Sequence, residues 1–373
     1  MRQANEVDFW RGLALVSIFI NHIPGFAFES WTHRNVGLSD SAELFVFLAG
    51  WGMRRLVDGA GEAHGLGRVV LRLGARAVTL YAVQILITML AIALIAFAAT
   101  AFGNPLLLEW NNAAAVFQDP AATHIGLVLL THQLGYFDIL PLYVVLMLGA
   151  PVLAIVQHGA PRLVLPIAAT LYVATLCFGL NLPTWPVEGT WYFSPFAWQI
   201  VFVLGFVLGG PSPLGDLVRR HPWIRRGAGA AIVVLGAWLA LNDIAPDPIR
   251  VPQPRLVFMF DKTFETPARL VHFLALAGLF AGAFGPIRRA LPPLGHFLSM
   301  LGRNSLNVFC VGSLLSLTAQ ILRFALGHGT YTDAAILLGG IAILGFTAWL
   351  SELRERLRGA ARVQAPSPSP SRA

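Results

Sequence analysis

Charged residues are scarce in this chain. Only 12% of its 373 residues are Asp, Glu, Lys or Arg, about half the share typical of a soluble protein, and the mean hydropathy is +0.66. Lysine is almost absent, because Lys262 is the only lysine among 26 basic residues. The net charge is +7, but the arginines cluster between apolar runs, as in proteins oriented in a membrane. The composition predicts a polytopic membrane protein that binds no nucleic acid.

Cysteine is also scarce. Cys177 and Cys310 are the only two, and both lie inside apolar runs. They predict neither a disulfide framework nor a cysteine metal site, and we expect no bound metal. A Gly-x-Ser-x-Gly motif and a cysteine nucleophile are missing as well. If the protein is an enzyme, direct attack by a base-activated hydroxyl is therefore simpler than a covalent protein intermediate.

Long apolar runs recur along the sequence and predict an all-α fold with about ten transmembrane helices. The predicted spans are 9–28, 41–57, 77–101, 137–157, 162–181, 195–210, 227–243, 267–287, 297–323 and 332–352. The shorter run 123–133 is predicted to be an interfacial or re-entrant helix. We expect a single membrane domain over residues 1–358 and a disordered, Pro/Ser-rich tail over residues 359–373.

The basic residues predict the orientation of these spans. Most of them fall in every second loop, together with Arg2 at the start of the chain and several arginines after the last span. By contrast, segment 102–136 contains neither Lys nor Arg. Because basic residues favour the cytoplasmic side, both termini are predicted to be cytoplasmic.

Two residues in the first predicted span stand out. Arg11 and His22 are eleven residues apart, which places them about 20° apart on one helix face and about 16 Å apart along it. Ionisable groups at membrane depth cost roughly 2.5–3.5 kcal/mol each, so a simple anchor would not carry them. The spacing predicts a cation near the cytoplasmic surface and an imidazole near the outer one. A hydrogen bond between helices is the alternative role for His22.

Further ionisable residues follow in the next loop and helix. His22, His33, Asp40 and Glu43 are predicted to converge at the outer end of the first two helices. A histidine beside a carboxylate is a natural general base, because the carboxylate stabilises the imidazolium that forms. Asp40-x-x-Glu43 also resembles a helix-capping box, and His33 can equally be an idle loop residue.

Clustered cations give three further candidate sites. Arg68, Arg72 and Arg76 form a ladder on one helix face, suited to phosphates or simply to orientation. Arg303 lies in a polar Arg-Asn-Ser sequence that either faces a donor channel or begins a helix. A third set of residues could bind an anionic group of the substrate or anchor the chain at the membrane interface: Lys262, Arg269 and His272. Outer aromatic residues such as Tyr192 are predicted to form an interfacial belt in preference to a sugar site.

The first fifty residues resemble a known family. DFWRGLALVSIFINHIPG and THRNVGLSDSAELFVFLAG are similar to the OpgC family, membrane proteins that succinylate osmoregulated periplasmic glucans. PFAWQIVFVLGF, PARLVHFLALAG and LGRNSLNVF fit the same family, so the resemblance covers nearly all of residues 6–350. The family is grouped with the acyltransferase-3 type of membrane acyltransferases.

The resemblance implies roles for particular residues. The acyltransferase-3 pattern of an arginine, ten residues and a histidine falls on Arg11 and His22, which implies that both are essential. A more distant likeness, to the lysosomal heparan glucosaminide N-acetyltransferase, falls on Asn21 and His33, so both histidines remain candidates. The polar residues around these positions are candidates for contacts with the substrate: Asp8, Asn21, Arg34 and Asn35.

The family also implies a reaction. An acyl-CoA, most simply succinyl-CoA, serves as a cytoplasmic co-substrate, no cofactor is permanently bound, and a periplasmic glucan accepts the acyl group. The protein is expected to lie in the bilayer of a bacterial inner membrane. Acetylation of another extracytoplasmic glycan is the alternative within the enzyme class, and a transporter or flippase that uses the buried charges is the alternative outside it.

Overall fold

The fold is almost entirely helical. A computed structural model describes residues 4–364, with the side chains of 60–64, 219 and 359–364 left aside, and it is about 77% helical. The helices are α1 (Glu6–Asn21), α2 (Ser41–His64), α3 (Leu66–Phe102), α4 (Ala114–Gln118), α5 (Pro120–Val128), α6 (Ile139–Gly159), α7 (Val164–Phe178), α8 (Pro195–Leu208), α9 (Pro213–Arg220), α10 (Pro222–Leu241), α11 (Pro267–Phe280), α12 (Phe284–Ala290), α13 (Pro292–Arg303), α14 (Ser305–Leu326) and α15 (Thr330–Gln364).

Short elements complete the description. Five 3₁₀ segments are found at Glu29–Trp31, His33–Val36, Pro105–Asn112, Pro161–Leu163 and Arg255–Val257. Two strands, β1 (Pro183–Thr184) and β2 (Gly189–Thr190), form one antiparallel hairpin in which Pro183 pairs with Thr190. The last helix runs past the predicted domain boundary at 358. Arg2 and the end of the predicted tail lie outside the described residues.

Six of the described helices are long and apolar enough to cross a membrane. They are α3, α6, the 161–178 segment with α7, α10, α14 and α15. The bent pair of α11 and α12, with 53° between the two helices, makes a seventh if it forms one span. The other three predicted spans correspond to α1, α2 and α8, of which α1 and α8 are short and α2 carries charged residues. The described residues thus contain six or seven candidate membrane spans, and ten spans remain a prediction.

The first predicted span is shorter than expected. A helix over 9–28 is wrong beyond Asn21, because His22 is the C-cap residue and the following residues form turns. Pro24 disfavours the helical conformation of the residue before it, and Gly25 has a φ of +65°. His22 therefore lies at the C-cap of α1 and not inside the helix.

The predicted helix 297–323 is also wrong as a single element. It is divided at Asn304, with α13 ending at Arg303 and α14 beginning at Ser305. Polar residues at this position favour helix ends over helix interiors, because their side chains compete for backbone hydrogen bonds. The break opens the first turn of α14 to the interior of the bundle.

Small residues bring the central helices close together. A Cβ atom added to Gly12 in α1 would lie 2.0 Å from the backbone oxygen of Leu298 in α13. A Cβ atom on Gly205 in α8 would lie 2.0 Å from the backbone oxygen of Phe47 in α2. Such glycines let helices approach closely in membranes. These two contacts hold α1 and α2 in position, and with them four of the predicted site residues: Asp8, Arg11, Asn21 and Glu43.

Gly12→Ala is expected to destabilise the protein, because its new methyl group must push α1 away from α13. Overpacking of this kind typically costs about 1–3 kcal/mol. Thermal unfolding of the purified protein in detergent, followed by size-exclusion chromatography, measures the loss. Gly149→Ala is the matched control, since an added Cβ in that part of α6 meets nothing within 4 Å. Equal melting temperatures for the two variants would contradict the close α1–α13 contact.

Candidate active site

A cluster of buried charges lies where the residues before α2 meet those around the start of α11. Lys262 forms an ion pair with Asp40, and Arg269 donates from Nη2 to Glu43 Oε1 at 2.5 Å. Glu265 Oε2 lies 3.7 Å from Arg269 Nε. Glu43 and Glu265 are completely buried, so the nearby cations are the main groups that offset the cost of removing a carboxylate charge from water.

The charges in this cluster balance one another. Burial opposes ionisation of Asp40, but the charges of Lys262 and Arg269 outweigh it and hold the pKa of Asp40 well below its usual range. Burial likewise opposes the charge on Lys262, yet Asp40 and Glu43 raise the pKa of Lys262 above its usual value. Burial and the neighbouring Glu43 raise the pKa of Glu265 well above its usual range, which favours its neutral form.

The same carboxylates also cap α2. Asp40 Oδ1 accepts a hydrogen bond from the backbone N–H of Ala42 at 2.8 Å, and Glu43 Oε2 accepts one from the backbone N–H of Asp40 at 2.9 Å. This is the reciprocal pattern of a capping box. Each carboxylate therefore caps the helix and also pairs with a cation, a pairing that the sequence did not predict, and the role beside a histidine base stays a prediction.

His22 faces a cavity beside this cluster. The cavity measures about 310 Å³, and His22, Asp40, Tyr136 and Lys262 are among its lining residues. We call it the histidine cavity. The His22 ring centroid lies 4.9 Å from that of Tyr136, and its backbone oxygen accepts a hydrogen bond from Gln320 Nε2 at 2.7 Å. The backbone of His22 is thus held by Gln320, and its imidazole contacts the ring of Tyr136.

The imidazole of His22 is not hydrogen-bonded within the described residues. Its Nδ1 atom is buried without a partner, and neither Asp40 nor Glu43 bonds to it among residues 4–364. Buried polar atoms in proteins are nearly always paired, so an unpaired one suggests a functional group awaiting a ligand or a proton.

His33 faces a different space. It lies in the 3₁₀ segment His33–Val36 and lines a groove of about 410 Å³ that runs along α1, α2 and α11. We call it the lateral groove. Asp40 lies at the same end of the groove as His33, and Arg55 and Glu6 line its other part. Asp40 therefore borders both spaces, with His22 on one side and His33 on the other.

Three arginines line a further cavity. It measures about 420 Å³, and Arg11, Arg72, Arg76 and Ser305 are among its lining residues. We call it the arginine cavity. Arg11 Nη2 donates to the backbone oxygen of Leu48 at 3.0 Å, which fixes the guanidinium. No carboxylate lines this cavity within the described part of the chain, and the first turn of α14 opens onto it, so it is suited to an anion.

Three aromatic rings pack together where the arginine cavity adjoins the histidine cavity. Phe45 packs against Tyr143 and Phe309, with ring centroids 5.4 Å and 5.8 Å apart. Tyr143 donates its hydroxyl proton to the backbone oxygen of Phe45 at 2.6 Å. Phe309 lines both cavities. We call Phe45, Tyr143 and Phe309 the ring layer; all three line the arginine cavity, and the two cavities adjoin at Phe309.

Comparison with protein families identifies the chain. The family described as OpgC protein matches residues 2–356, which is nearly the whole sequence. The chain belongs to the OpgC family. The predicted family resemblance is confirmed, and membership indicates a glucan-modifying membrane acyltransferase in general terms. Comparison with curated proteins and with solved structures gave no match.

In this OpgC-family protein, other predicted residues hold the loop after α1. Thr32 donates from Oγ1 to Asn21 Oδ1 at 2.6 Å, and Arg34 Nη1 donates to the backbone oxygen of Asn21 at 3.0 Å. Asn21 and Arg34 also line the histidine cavity, whereas Asn35 is exposed and does not. Two side chains of the loop thus bond to Asn21 at the end of α1.

His272 is placed away from the cavities. It is almost fully buried, and its Nδ1 atom is 2.8 Å from the hydroxyl oxygen of Ser39. Added Cβ atoms at Gly37 and Gly236 would come within 3 Å of its ring, so the ring fills a tight space between two glycines. This placement gives His272 a packing contact with the loop before α2 and no lining position in the histidine cavity.

The predicted donor-binding residues divide into two groups. Arg72 and Arg76 line the arginine cavity, and Arg68 lies one turn earlier in α3 without lining it. Arg303 donates from Nη2 to Glu352 Oε1 in α15 at 2.6 Å, in a separate pocket. Asp8 accepts a hydrogen bond from Arg11 Nη1 at 3.4 Å and so supports the arginine cavity indirectly.

Two residues of the histidine cavity were missed by sequence reasoning. Tyr136 and Asp138 lie in the loop before α6 and line the cavity beside His22. An aspartate ahead of an apolar helix looks like an ordinary N-cap, and a tyrosine at a membrane surface looks like part of an aromatic belt. No local sequence pattern distinguishes these ordinary roles from a position in the cavity wall. The distinction depends on which residues the fold places opposite Tyr136 and Asp138.

Proposed function

We propose that this OpgC-family protein transfers a succinyl group from cytoplasmic succinyl-CoA to a hydroxyl group of a periplasmic glucan. In this proposal the chain spans the bacterial inner membrane with both termini in the cytoplasm. The observation that supports it most is that an arginine-lined cavity and a histidine-lined cavity adjoin at Phe309 of the ring layer. A long donor with an anionic head and a reactive tip fits such an arrangement.

The arginine cavity is the proposed site of the donor. Coenzyme A carries phosphates at one end and its thioester at the end of a narrow pantetheine arm. Arg72 and Arg76 would bind the phosphates, because the planar guanidinium group forms paired hydrogen bonds with phosphate oxygens. Arg11 lies in the same cavity and would orient the arm. The thioester would then reach the ring layer and, past it, His22.

The histidine cavity is the proposed site of chemistry. His22 accepts the proton of the acceptor hydroxyl while the hydroxyl oxygen attacks the thioester carbonyl. The carbon–sulfur bond breaks, an oxygen ester forms, and the imidazolium returns its proton to the departing thiolate. Lys262 and Asp40 lie in the cavity wall, where their opposite charges offset each other.

The geometry favours His22 over His33 as the base. The arginine cavity meets the histidine cavity at Phe309, whereas His33 lines the lateral groove on the far side of Asp40. A donor held by Arg72 and Arg76 would therefore lie in a cavity that shares a lining residue with the cavity of His22 and shares none with the groove of His33.

Purified protein in liposomes tests the proposed function. We expect it to consume succinyl-CoA only when a glucose oligosaccharide is present, and mass spectrometry should detect a succinyl ester on the sugar. A higher rate of transfer from acetyl-CoA would indicate that the natural acyl group is acetyl, and the protein would still be an acyltransferase. Movement of the oligosaccharide across the membrane without thioester consumption would overturn the proposal in favour of a transporter.

Arg72→Ala and Arg76→Ala are each expected to raise the KM for succinyl-CoA. A lost hydrogen bond to a charged group predicts a change of about 10- to 100-fold, and the KM for the oligosaccharide should stay the same. Initial rates at varied donor concentration provide the measurement. Arg162→Ala is the matched control, because Arg162 is exposed and lines neither cavity. An unchanged donor KM in both cavity variants would place the donor elsewhere.

A further inference from the structure

Asp138 occupies a helix N-cap position without capping the helix. It directly precedes α6, yet its side chain makes no capping hydrogen bond. Aspartate at this position normally accepts a hydrogen bond from the first turn of its helix. The side chain instead lines the histidine cavity, together with His22 and Lys262. The usual local role of the residue is therefore not fulfilled.

The Asp138 carboxylate is also free of ion pairs within residues 4–364. Lys262 is the nearby cation in the cavity, and it is paired with Asp40. Apart from the backbone N–H of Asp138 itself, no donor of the described residues forms a hydrogen bond with this carboxylate. A half-buried carboxylate without protein donors is suited to receive them from a ligand.

The loop that carries Asp138 is firmly held. The backbone N–H of Gly135 donates to the backbone oxygen of Asn111 at 2.7 Å, and Gln84 Nε2 donates to the backbone oxygen of Phe137 at 3.0 Å. Tyr136 between them has a φ of +67°, which is unusual for a residue with a side chain. Strained backbone of this kind persists where surrounding contacts enforce it and is common at functional sites. The strain here places the Tyr136 ring against His22.

A second tyrosine lines the same cavity. Tyr192 is 50% exposed, and its ring centroid lies 5.8 Å from the Lys262 ammonium group. Two tyrosine rings and an unpaired carboxylate form a surface suited to a pyranose. The carbon–hydrogen face of such a ring packs on aromatic groups, and its adjacent hydroxyls donate hydrogen bonds to carboxylate oxygens.

We propose that Asp138 is an acceptor-binding residue that receives a hydrogen bond from a sugar hydroxyl adjacent to the one acylated, while the sugar face packs against Tyr136. This inference rests on the proposed function, because it supplies the acceptor site of that reaction. The inference gives different roles to two residues that line the histidine cavity. His22 meets the reacting hydroxyl, and Asp138 holds the neighbouring one.

Asp138→Asn tests the inference through binding and through transfer. We expect a glucose oligosaccharide to bind about 10- to 100-fold more weakly to the variant, as for a lost hydrogen bond to a charged group. The KM for the oligosaccharide should rise by a similar factor, and the KM for succinyl-CoA should not change. Asp119→Asn is the matched control, since Asp119 is an exposed N-cap residue of α5 that does bond to its own helix, at Ala122.

A deoxy-sugar acceptor provides a measurement on the unaltered protein. Removal of the hydroxyl adjacent to the acylated position should weaken binding to the wild type and abolish the difference between wild type and Asp138→Asn. Full binding of the deoxy sugar by the wild type, or an unchanged oligosaccharide KM in the variant while the wild type transfers succinyl groups, overturns the role of Asp138 alone. Weaker binding by the variant, with no thioester consumed by the wild type, overturns the proposed function but leaves the sugar site.

Discussion

His22→Ala is expected to lower the rate of succinyl transfer by about 10²- to 10⁴-fold, the usual contribution of a general base. The imidazole lines the histidine cavity with its Nδ1 atom unpaired in the described residues, and the cavity adjoins the arginine cavity at Phe309. Since chemistry is lost and the donor site is not touched, binding of succinyl-CoA should be unchanged. Transfer rates and donor affinity, measured on the same preparation, separate the two effects.

His33→Ala is the matched control for this prediction. His33 lines the lateral groove on the other side of Asp40, so its removal should leave most of the transfer rate intact. The opposite pattern, with His33→Ala inactive and His22→Ala active, would move the chemistry to the lateral groove. It would also indicate that the donor enters past Arg55 and Glu6 and not through the arginine cavity.

Arg269→Met is expected to have the largest effect on stability. It leaves Glu43, which is completely buried, without its main cation. Breaking a buried ion pair in this way typically costs about 3–5 kcal/mol. The double variant Arg269→Met/Glu43→Gln should regain most of that loss, because replacing both charges removes the unpaired carboxylate. Thermal unfolding in detergent measures both variants.

An exposed ion pair provides the comparison. Arg250 pairs with Asp247 at 3.3 Å, but its side chain is 87% exposed, so Arg250→Met should change the melting temperature little. If Arg269→Met keeps its stability and loses only oligosaccharide binding, Arg269 contacts the substrate and the cluster is not a structural support. If the double variant is as unstable as the single one, the interaction with Glu43 is not the main role of Arg269.

The sequence indicated the helices well where apolar runs were long. Spans such as 77–101 and 332–352 fall inside α3 and α15, because a run of that length can satisfy its backbone in lipid only as a helix. It failed where polar residues interrupt a run. Asn304 divides α13 from α14, and Pro24 with Gly25 ends α1 early, although hydropathy averages pass smoothly over both positions.

The site was predictable only in its local parts. The Asp40-x-x-Glu43 spacing predicts a capping box as one of two roles, and both carboxylates do cap α2. Their cations, Lys262 and Arg269, come from more than two hundred residues away, and no sequence spacing links them. Tertiary folding also determines that the side chain of Asp138 lines the cavity and does not cap α6. Each of these features depends on which loops meet, and hydrophobic periodicity carries no information on that.

The ring layer has a consequence for the cell that the proposed reaction does not require. If the arginine cavity opens to the cytoplasm and the histidine cavity to the periplasm, a continuous passage between them would leak protons and collapse the energised state of the membrane. Phe45, Tyr143 and Phe309 pack together where the two cavities adjoin, and the hydrogen bond from Tyr143 to the Phe45 backbone holds this packing. In the proposed reaction, a pantetheine arm that displaced these rings would fill the space they leave, which would keep the membrane sealed during transfer.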